Sequence, residues 1–234
     1  MEELLRTQML LGKEKVELLK NKRVLVFGAG GVGGYVCEAL CRSGVGQIDV
    51  VDDDTVSLSN INRQIIALHS SVGRYKTELM RERMLDINPT LKSTAYNVFY
   101  TAENADMFDF TEYDYIVDAI DTVKSKIELV VRADAAGTPI IASMGAGNKL
   151  DPTAFKISDI YKTSVCPLAR VIRAELKKRG IKGLKVVYSE EKPLEAEIPE
   201  EMKDVKKVPP ASCAFIPSVV GLIVASEVIK DLIK

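Results

Sequence analysis

The chain has 234 residues, of which 47% are hydrophobic and 28% are charged, and its formal net charge is -1. These values are typical of a soluble globular protein and exclude a fibrous or intrinsically disordered chain. Because the charges nearly balance, a polyanionic partner would have to be bound by a local basic patch. The length predicts one domain with an elaborated C-terminal part.

The N-terminal sequence MEELLRTQ has no basic segment that leads into an apolar run. We therefore expect no secretory signal and a cytoplasmic location. The chain has four cysteines but no C-x-x-C pair, and two of them have helical spacing, so we expect buried reduced thiols rather than disulfides or a structural zinc site. The cysteines are Cys37, Cys41, Cys166 and Cys213.

Short β-branched segments alternate with helical patterns from Arg23 to about Met144, which predicts parallel strands joined by crossover helices. The strand segments are apolar almost throughout, as expected when helices cover both faces of a sheet. We predict an α/β fold with a Rossmann-like, mostly parallel sheet, helices on both faces and a C-terminal α+β extension. The predicted elements are strands at 23–28, 48–52, 93–98, 115–120 and 139–144, and helices at 72–88 and 125–136.

Two local signals define the ends of these helices. Pro89 should end the first helix at Asn88, because proline cannot continue a helix. Ser125 and Glu128 have the spacing of a capping box, which predicts that the second helix begins at Ser125.

The regular alternation ends after Gly145. We predict a helix at 167–179, a strand at 184–189, a loop at 189–210 and a final helix at 217–234. The final helix is apolar but contains Glu227, Lys230 and Asp231, so we interpret it as a core or dimer helix rather than a membrane span. The whole chain, 1–234, is predicted to form a single domain, with a nucleotide-binding core at about 20–147 and an extension at about 148–234.

A glycine-rich motif follows the first predicted strand. Gly28, Gly30 and Gly33 form G-x-G-x-x-G at the start of a helix, where free N–H groups and the helix dipole favour phosphate. Asp52 ends the second strand about 20 residues later, where an acidic side chain can accept hydrogen bonds from ribose hydroxyls. Asp53 and Asp54 are interpreted as solvated turn residues.

The motif alone does not distinguish NAD from ATP, but other residues favour ATP. Arg63 and Lys76 follow the second strand, and Asp121 follows a later one, so all three should face the ligand crevice of the sheet. Two cations that stabilise phosphate charge and one carboxylate that holds Mg²⁺ suit phosphoryl or adenylyl transfer. The single histidine, His69, is interpreted as an exposed residue at a helix end.

The segments RTQMLLG, GAGGVGG, DDDTVSLSNINRQ, GRYKTE and DAIDT together resemble the ThiF, MoeB and HesA family, which is related to ubiquitin-activating enzymes. In that family a carboxylate attacks the α-phosphate of ATP to form an acyl-adenylate. The resemblance implies a homodimer in which Arg6 enters the partner's ATP site. It also implies phosphate contacts by Gly28, Gly30, Gly31 and Gly33, ribose contacts by Asp52, nucleotide positioning by Asn60, polyphosphate contacts by Arg63 and Lys76, and Mg²⁺ binding by Asp121.

Within that family, the segments SVCPLARVIRAELKKRGIKGLKVVYSEEKP and FIPSVVGLIVASEVIKDL resemble the branch of tRNA threonylcarbamoyladenosine dehydratases (TcdA, also described as CsdL). The paired C-x-x-C motifs that sulfur-carrier activators usually contain are absent from the sequence. That branch usually has an acidic residue where Cys166 stands, and we assign neither Cys166 nor Cys213 as a nucleophile.

A dense basic segment supports tRNA as the substrate, because phosphate contacts supply most of the non-specific affinity for nucleic acid. Its predicted tRNA-binding residues are Arg170, Arg173, Lys177, Lys178, Arg179 and Lys182, and Lys185 lies just beyond them. The resemblance to this branch implies ATP-dependent adenylation of tRNA N6-threonylcarbamoyladenosine, followed by cyclisation, in a tRNA-bound homodimer with a sulfurtransferase as a possible further partner. The alternatives are an activator of a ubiquitin-like sulfur carrier, a non-catalytic nucleotide-sensing protein and, more distantly, a dehydrogenase.

Overall fold

A seven-stranded sheet forms the centre of the computed structural model, which describes residues 2–203 and 208–234. The strands are β1 (Arg23–Phe27), β2 (Gln47–Val51), β3 (Ala95–Tyr96), β4 (Tyr115–Asp118), β5 (Ile140–Ser143), β6 (Phe155–Asp159) and β7 (Lys185–Ser189). Their order across the sheet is β3-β2-β1-β4-β5-β7-β6. Only β6 runs antiparallel to its neighbour, β7, and the other adjacent strands within the described residues are parallel.

Helices cover both faces of this sheet, which explains why its central strands are apolar on both sides. The helices in the described residues are α1 (Leu5–Leu11), α2 (Lys13–Leu19), α3 (Gly33–Arg42), α4 (Lys76–Ile87), α5 (Val123–Ala136), α6 (Pro167–Lys178) and α7 (Phe215–Leu232). Buried side chains of α3, α4 and α7 form one core, whereas those of α5 and α6 pack on the opposite face. The predicted mostly parallel α/β class is confirmed.

The predicted capping box is wrong, because tertiary contacts use its serine differently. Helix α5 begins at Val123 with Thr122 as its N-cap residue. The Ser125 hydroxyl lies inside the first turn and donates a hydrogen bond of 2.6 Å to the carbonyl oxygen of Tyr100. Ser125 therefore links α5 to the loop before β4 instead of starting the helix.

Two other predicted elements are shorter than expected. The helix predicted from Val72 begins only at Lys76, because Gly73 and Tyr75 pair with the segment after β2. The predicted strand at 93–98 reduces to Ala95–Tyr96 at the sheet edge, where it has a partner on one side only. The predicted loop at 189–210 includes residues 204–207, which lie outside the described residues.

The final helix α7 packs closely on α3. A Cβ atom added to Gly221 would lie 2.5 Å from the carbonyl oxygen of Val32 and 2.8 Å from the Cβ of Tyr35, so only glycine permits this approach. Within the described residues, no helix is both long and apolar enough to cross a bilayer.

The C-terminal end of α7 is held to the sheet through Asp231. Its carboxylate accepts hydrogen bonds from the Tyr115 hydroxyl at 2.8 Å and from the Lys185 ammonium at 2.5 Å. Partial burial favours the neutral acid, but hydrogen bonds from Lys185, Lys234 and Tyr115 outweigh it and lower the pKa of Asp231 from 3.8 to about 2. The charged form therefore stabilises the fold.

We predict that Asp231→Asn lowers the free energy of unfolding at neutral pH by about 1–3 kcal/mol, the usual effect of weakening charged hydrogen bonds. Because folding lowers the pKa, this contribution is present above pH about 4 and is lost as the pH falls through about 2. Urea unfolding at several pH values should therefore show the variant and the wild type converging in acid. Asp134→Asn, at an exposed position on α5, is the control, and a pH-independent difference would contradict this interpretation.

Candidate active site

The candidate active site lies where the strand order reverses. From β1 the chain continues outward to β2 and β3, and then returns to β4 on the other side of β1. In open α/β sheets, ligands bind in the crevice outside the carboxyl ends of the strands at such a point. Here the crevice lies between the glycine loop 28–33, which follows β1, and residues 119–121, which follow β4.

Two glycines of the motif are required by packing. Gly28 has a φ of +97°, and a Cβ atom on it would lie 2.7 Å from the carbonyl oxygen of Ala119. A Cβ atom on Gly33 would lie 1.7 Å from the carbonyl oxygen of Gly28. These contacts bring the start of α3 close to the ends of β1 and β4.

The two remaining glycines of the loop, Gly30 and Gly31, have different surroundings. A Cβ atom on Gly30 would meet only the side-chain Nε2 of Gln64, at 3.8 Å, which is an ordinary contact distance. Gly31 faces Pro217 of α7, whose Cβ would lie 3.0 Å from the added atom. Gly30 therefore leaves open space beside the loop, as the close approach of a phosphate requires.

Asp52 fixes the glycine loop from the end of β2. Its carboxylate accepts hydrogen bonds from the backbone N–H of Ala29 at 2.7 Å and from that of Asp54 at 2.9 Å. Burial raises the pKa of Asp52, and the charge of Lys76 and the two backbone bonds act in the opposite direction. The side chain is half-buried, so it remains accessible to a ribose as well.

Lys76 is a buried cation beside this carboxylate. It is the first residue of α4, only 5% of its surface is exposed, and its ammonium lies 2.6 Å from the carboxylate of Asp54. Asp54 is exposed as predicted, but its ion pair with Lys76 was not foreseen. The sequence contains no signal for this pairing, because the two residues are 22 positions apart.

Asn60 and Arg63 lie in a tight turn against the glycine loop. The backbone N–H of Arg63 donates to the carbonyl oxygen of Asn60 at 3.1 Å, and the Asn60 side chain accepts from the N–H of Ser57 at 3.1 Å. The Arg63 guanidinium donates to the carbonyl oxygen of Ser59 and to the side chain of Asn62, both at 2.8 Å. The buried Asn60 thus shapes the turn that presents the half-buried Arg63.

Asp121 is exposed in the loop that follows β4, and no cation pairs with it in the described part of the chain.

The same loop is held by a buried pair that sequence reasoning missed. The ammonium of Lys126 lies 2.8 Å from the carboxylate of Asp118 and also donates to the carbonyl oxygen of Ile120 at 2.8 Å. The sequence contains no local signal for this pair, because Asp118 ends β4 and Lys126 lies eight positions later, on α5.

Arg6 is not brought to this site by its own chain. It is exposed on α1, a helix that buries none of its residues. The adjoining Leu4 lies against Gly44, beyond the C-terminal end of α3. Helix α3 has 10 residues and is therefore about 15 Å long, and the glycine loop lies at its other end.

The basic residues on α6 and just after it divide into three groups. Arg173 is half-buried and donates to both oxygens of Thr163, which makes it a tertiary contact rather than part of an open surface. Lys178 and Arg179 are exposed but pair with Glu175. The exposed side chains that make no ion pair within the described residues are Arg170, Lys177 and Lys182.

The remaining residues considered in the sequence are the histidine and the four cysteines, and none of them is assigned a role in the crevice. His69 is exposed in a short 3-10 turn, as predicted. Cys37, Cys41 and Cys166 are buried, whereas Cys213 is half-buried. Burial raises the pKa of Cys41 to about 11, so this thiol stays protonated near neutral pH.

A family model described as ThiF family matches residues 4–234. The chain belongs to the ThiF family. The resemblance identified from its motifs is thereby confirmed.

Individual relatives show which members of the family this chain is similar to. A tRNA threonylcarbamoyladenosine dehydratase of Bacillus subtilis is 45% identical to this ThiF-family chain, over 98% of the chain and 94% of the relative. An Escherichia coli protein of the same name is 37% identical over 79% of this chain and 72% of its own length. The crystal structure of Escherichia coli TcdA in complex with ATP has a TM-score of 0.88 and 31% identity, and covers 99% of this chain and 93% of that chain.

The two kinds of glycine predict different consequences of adding a methyl group. Gly33→Ala should lower the free energy of unfolding by about 3 kcal/mol or more, because backbone atoms must move to admit the Cβ atom. Gly30→Ala should keep stability within about 0.5 kcal/mol. It should nevertheless weaken ATP binding by roughly tenfold or more, because the methyl group occupies the space beside the phosphates.

Chemical denaturation and calorimetric titration with ATP measure these two effects separately. Gly145→Ala is the control, because a Cβ atom there would meet nothing within 4 Å. Unchanged ATP affinity in Gly30→Ala would contradict the placement of the phosphates.

Proposed function

We propose that this chain is an ATP-dependent tRNA threonylcarbamoyladenosine dehydratase. The observation that carries the proposal is the buried Lys76 ammonium next to Asp52, at the mouth of a glycine loop that is open at Gly30. Lys76 is a buried cation at the N-terminus of α4. Such a cation suits the negative charge of a nucleotide polyphosphate. The relatives described above supply the identity of the substrate. The reaction would take place in the cytoplasm.

The first step makes the substrate carboxylate reactive. One carboxylate oxygen of N6-threonylcarbamoyladenosine attacks the α-phosphorus of ATP, and the bond from that phosphorus to pyrophosphate breaks. Lys76 and Arg63 stabilise the negative charge that develops on the phosphates. Asp52 binds the ribose hydroxyls and Asn60 maintains the turn that presents Arg63.

Ring closure follows without a protein nucleophile. An internal nitrogen of the same nucleoside attacks the acyl carbon, loses its proton, and AMP leaves with the original carboxylate oxygen. The nucleoside therefore loses one water, while ATP becomes AMP and pyrophosphate. Proximity of the nitrogen and the acyl carbon within one molecule accelerates this step.

Mg²⁺ is the metal that the site suits best. Asp121 offers an exposed carboxylate at the carboxyl end of β4 that no cation of the described chain neutralises. Oxygen ligands of this type, together with phosphate oxygens, are what Mg²⁺ prefers. When bound, the ion would neutralise charge on the leaving pyrophosphate.

The proposed reaction predicts a specific change in tRNA that bears threonylcarbamoyladenosine. After incubation with the protein, ATP and Mg²⁺, mass spectrometry of the nucleosides should show the loss of one water. If the carboxylate is labelled with ¹⁸O, the label should appear in AMP. An unchanged nucleoside, together with AMP formation when a Gly-Gly-ending carrier protein is supplied, would instead favour the sulfur-carrier activator.

The metal assignment has its own control within this assay. Asp121→Ala should abolish turnover without unfolding the protein, whereas Asp134→Ala, at an exposed position on α5, should retain activity. Normal turnover in Asp121→Ala would refute the role of Asp121 in binding Mg²⁺.

The exposed helix α1 supports a homodimer in which each chain supplies Arg6 to the other. Leu5, Met9 and Leu10 of α1 are exposed by 52%, 87% and 84%. Packing these apolar side chains against a second copy would remove them from water, which is favourable. The same packing would bring Arg6 to the crevice of the second copy, whereas Arg6 lies away from the crevice of its own chain.

Mixing two inactive variants tests this arrangement. Arg6→Ala and Lys76→Ala should each be inactive as homodimers. After subunit exchange, half of the dimers are mixed and each contains one intact site, so activity should recover to about a quarter of the wild-type value. If the mixture stays inactive while exchange is demonstrated by differential tagging, Arg6 does not act in the partner's site.

The proposed tRNA-binding surface consists of the exposed residues Arg170, Lys177 and Lys182, with Lys178 and Arg179 beside them. Replacing Arg170, Lys177 and Lys182 with glutamine should weaken tRNA binding. Each lost phosphate contact should reduce the slope of log K against log salt by about 0.7–0.9. ATP binding should not change, and a salt dependence equal to that of the wild type would exclude this surface.

A further inference from the structure

The side chain of Gln64 is buried but has no hydrogen-bond partner in the described part of the chain. Only 7% of Gln64 is exposed, and its Oε1 atom is fully enclosed without a partner among the described residues. Its Nε2 atom likewise forms no hydrogen bond within residues 2–203 and 208–234. Burying an amide without partners is unfavourable, so an amide that a native protein retains in this state needs an explanation, such as a catalytic role or a bound ion or water.

The position of the amide indicates where that partner lies. Nε2 is the nearest atom to the open side of Gly30, at 3.8 Å from the point where a Cβ atom would stand. Gly30 is the second glycine of the motif, where the backbone approaches the phosphates most closely. The Gln64 backbone is itself fixed, because its N–H donates to the carbonyl oxygen of Asn60 at 2.9 Å.

The chemistry of an amide suits this position. The Nε2 group is a donor, and a phosphate oxygen is an acceptor that makes strong hydrogen bonds. Because the amide is neutral, it forms no ion pair with the nearby carboxylates. It can therefore hold a phosphate oxygen at a fixed place. Arg63 and Lys76 attract the phosphates through their charge, whereas the amide orients one phosphate oxygen through a hydrogen bond.

We propose that the Gln64 amide donates a hydrogen bond to a non-bridging oxygen of the α-phosphate of ATP and keeps this bond in the acyl-adenylate. Gln64 is then a catalytic residue in addition to Arg63, Lys76 and Asp121, although it transfers no proton. It keeps the α-phosphorus in line with the incoming carboxylate and the leaving pyrophosphate. This inference rests on the proposed function, because it assumes that ATP binds in the crevice.

The experiment compares Gln64→Met with Gln47→Met in the full-length protein. Methionine has nearly the shape of glutamine but no donor. At Gln64 it removes an unpartnered amide, so the melting temperature of the nucleotide-free protein should stay the same or rise. At Gln47 it removes an existing hydrogen bond to Asp49 of 2.9 Å, far from the crevice, so stability should fall and ATP affinity should not change.

ATP binding by calorimetry and AMP formation are then measured for both variants. Gln64→Met should bind ATP about tenfold to a hundredfold more weakly, as expected for the loss of a hydrogen bond to a charged group. Gln64→Glu should be weaker still near neutral pH, because its carboxylate repels the phosphate. Its activity should recover as the pH is lowered and the introduced carboxyl group becomes a donor, which a purely structural role would not produce.

The outcomes separate this inference from the proposed function. If the wild type does not bind ATP, the proposed function fails. If the wild type binds ATP and Gln64→Met binds it equally well, Gln64 does not contact the nucleotide. A Gln64→Met variant that loses stability as Gln47→Met does would show that the amide serves packing, and would also overturn the inference.

Discussion

The close contact between the glycine loop and the end of β4 is the constraint on which the site depends. Gly28 lies against the carbonyl group of Ala119, and Gly33 lies against that of Gly28, so neither position can accept a side chain. This contact lets α3 begin directly at the end of β1 and leaves the crevice at the reversal of strand order. Asp52 is held to the same loop, because its carboxylate accepts a hydrogen bond from the backbone N–H of Ala29.

Around this loop, buried charges are held by specific partners. Lys126 and Asp118 form a fully buried pair, and the lysine also holds the carbonyl group of Ile120. Burial raises the pKa of Asp118, and the neighbouring ammonium opposes that change. Such pairs are expensive to desolvate, and breaking one by removing a partner costs about 3–5 kcal/mol in general. Here the pair holds the loop that carries Asp121, because Lys126 also bonds the carbonyl group of Ile120.

Much of the fold could be predicted from local patterns. Apolar segments and the motif at Gly28–Gly33 identified the parallel sheet, because strand burial and tight turns leave a signal within a few residues. The prediction failed where tertiary contacts replaced a local preference. Ser125 bonds the carbonyl group of Tyr100 instead of capping a helix, and Arg173 bonds Thr163 instead of facing solvent.

The sequence by itself determined the fold class, the family and the residue types at the crevice, since each of these depends on neighbours along the chain. Only the tertiary structure decided which groups meet. It paired Lys76 with Asp54, left the Gln64 amide beside Gly30 without a partner among the described residues, and separated Arg6 from the crevice of its own chain. The physical reason is that burial and hydrogen-bond partners depend on segments far apart in sequence, which meet only when the sheet and its helices pack.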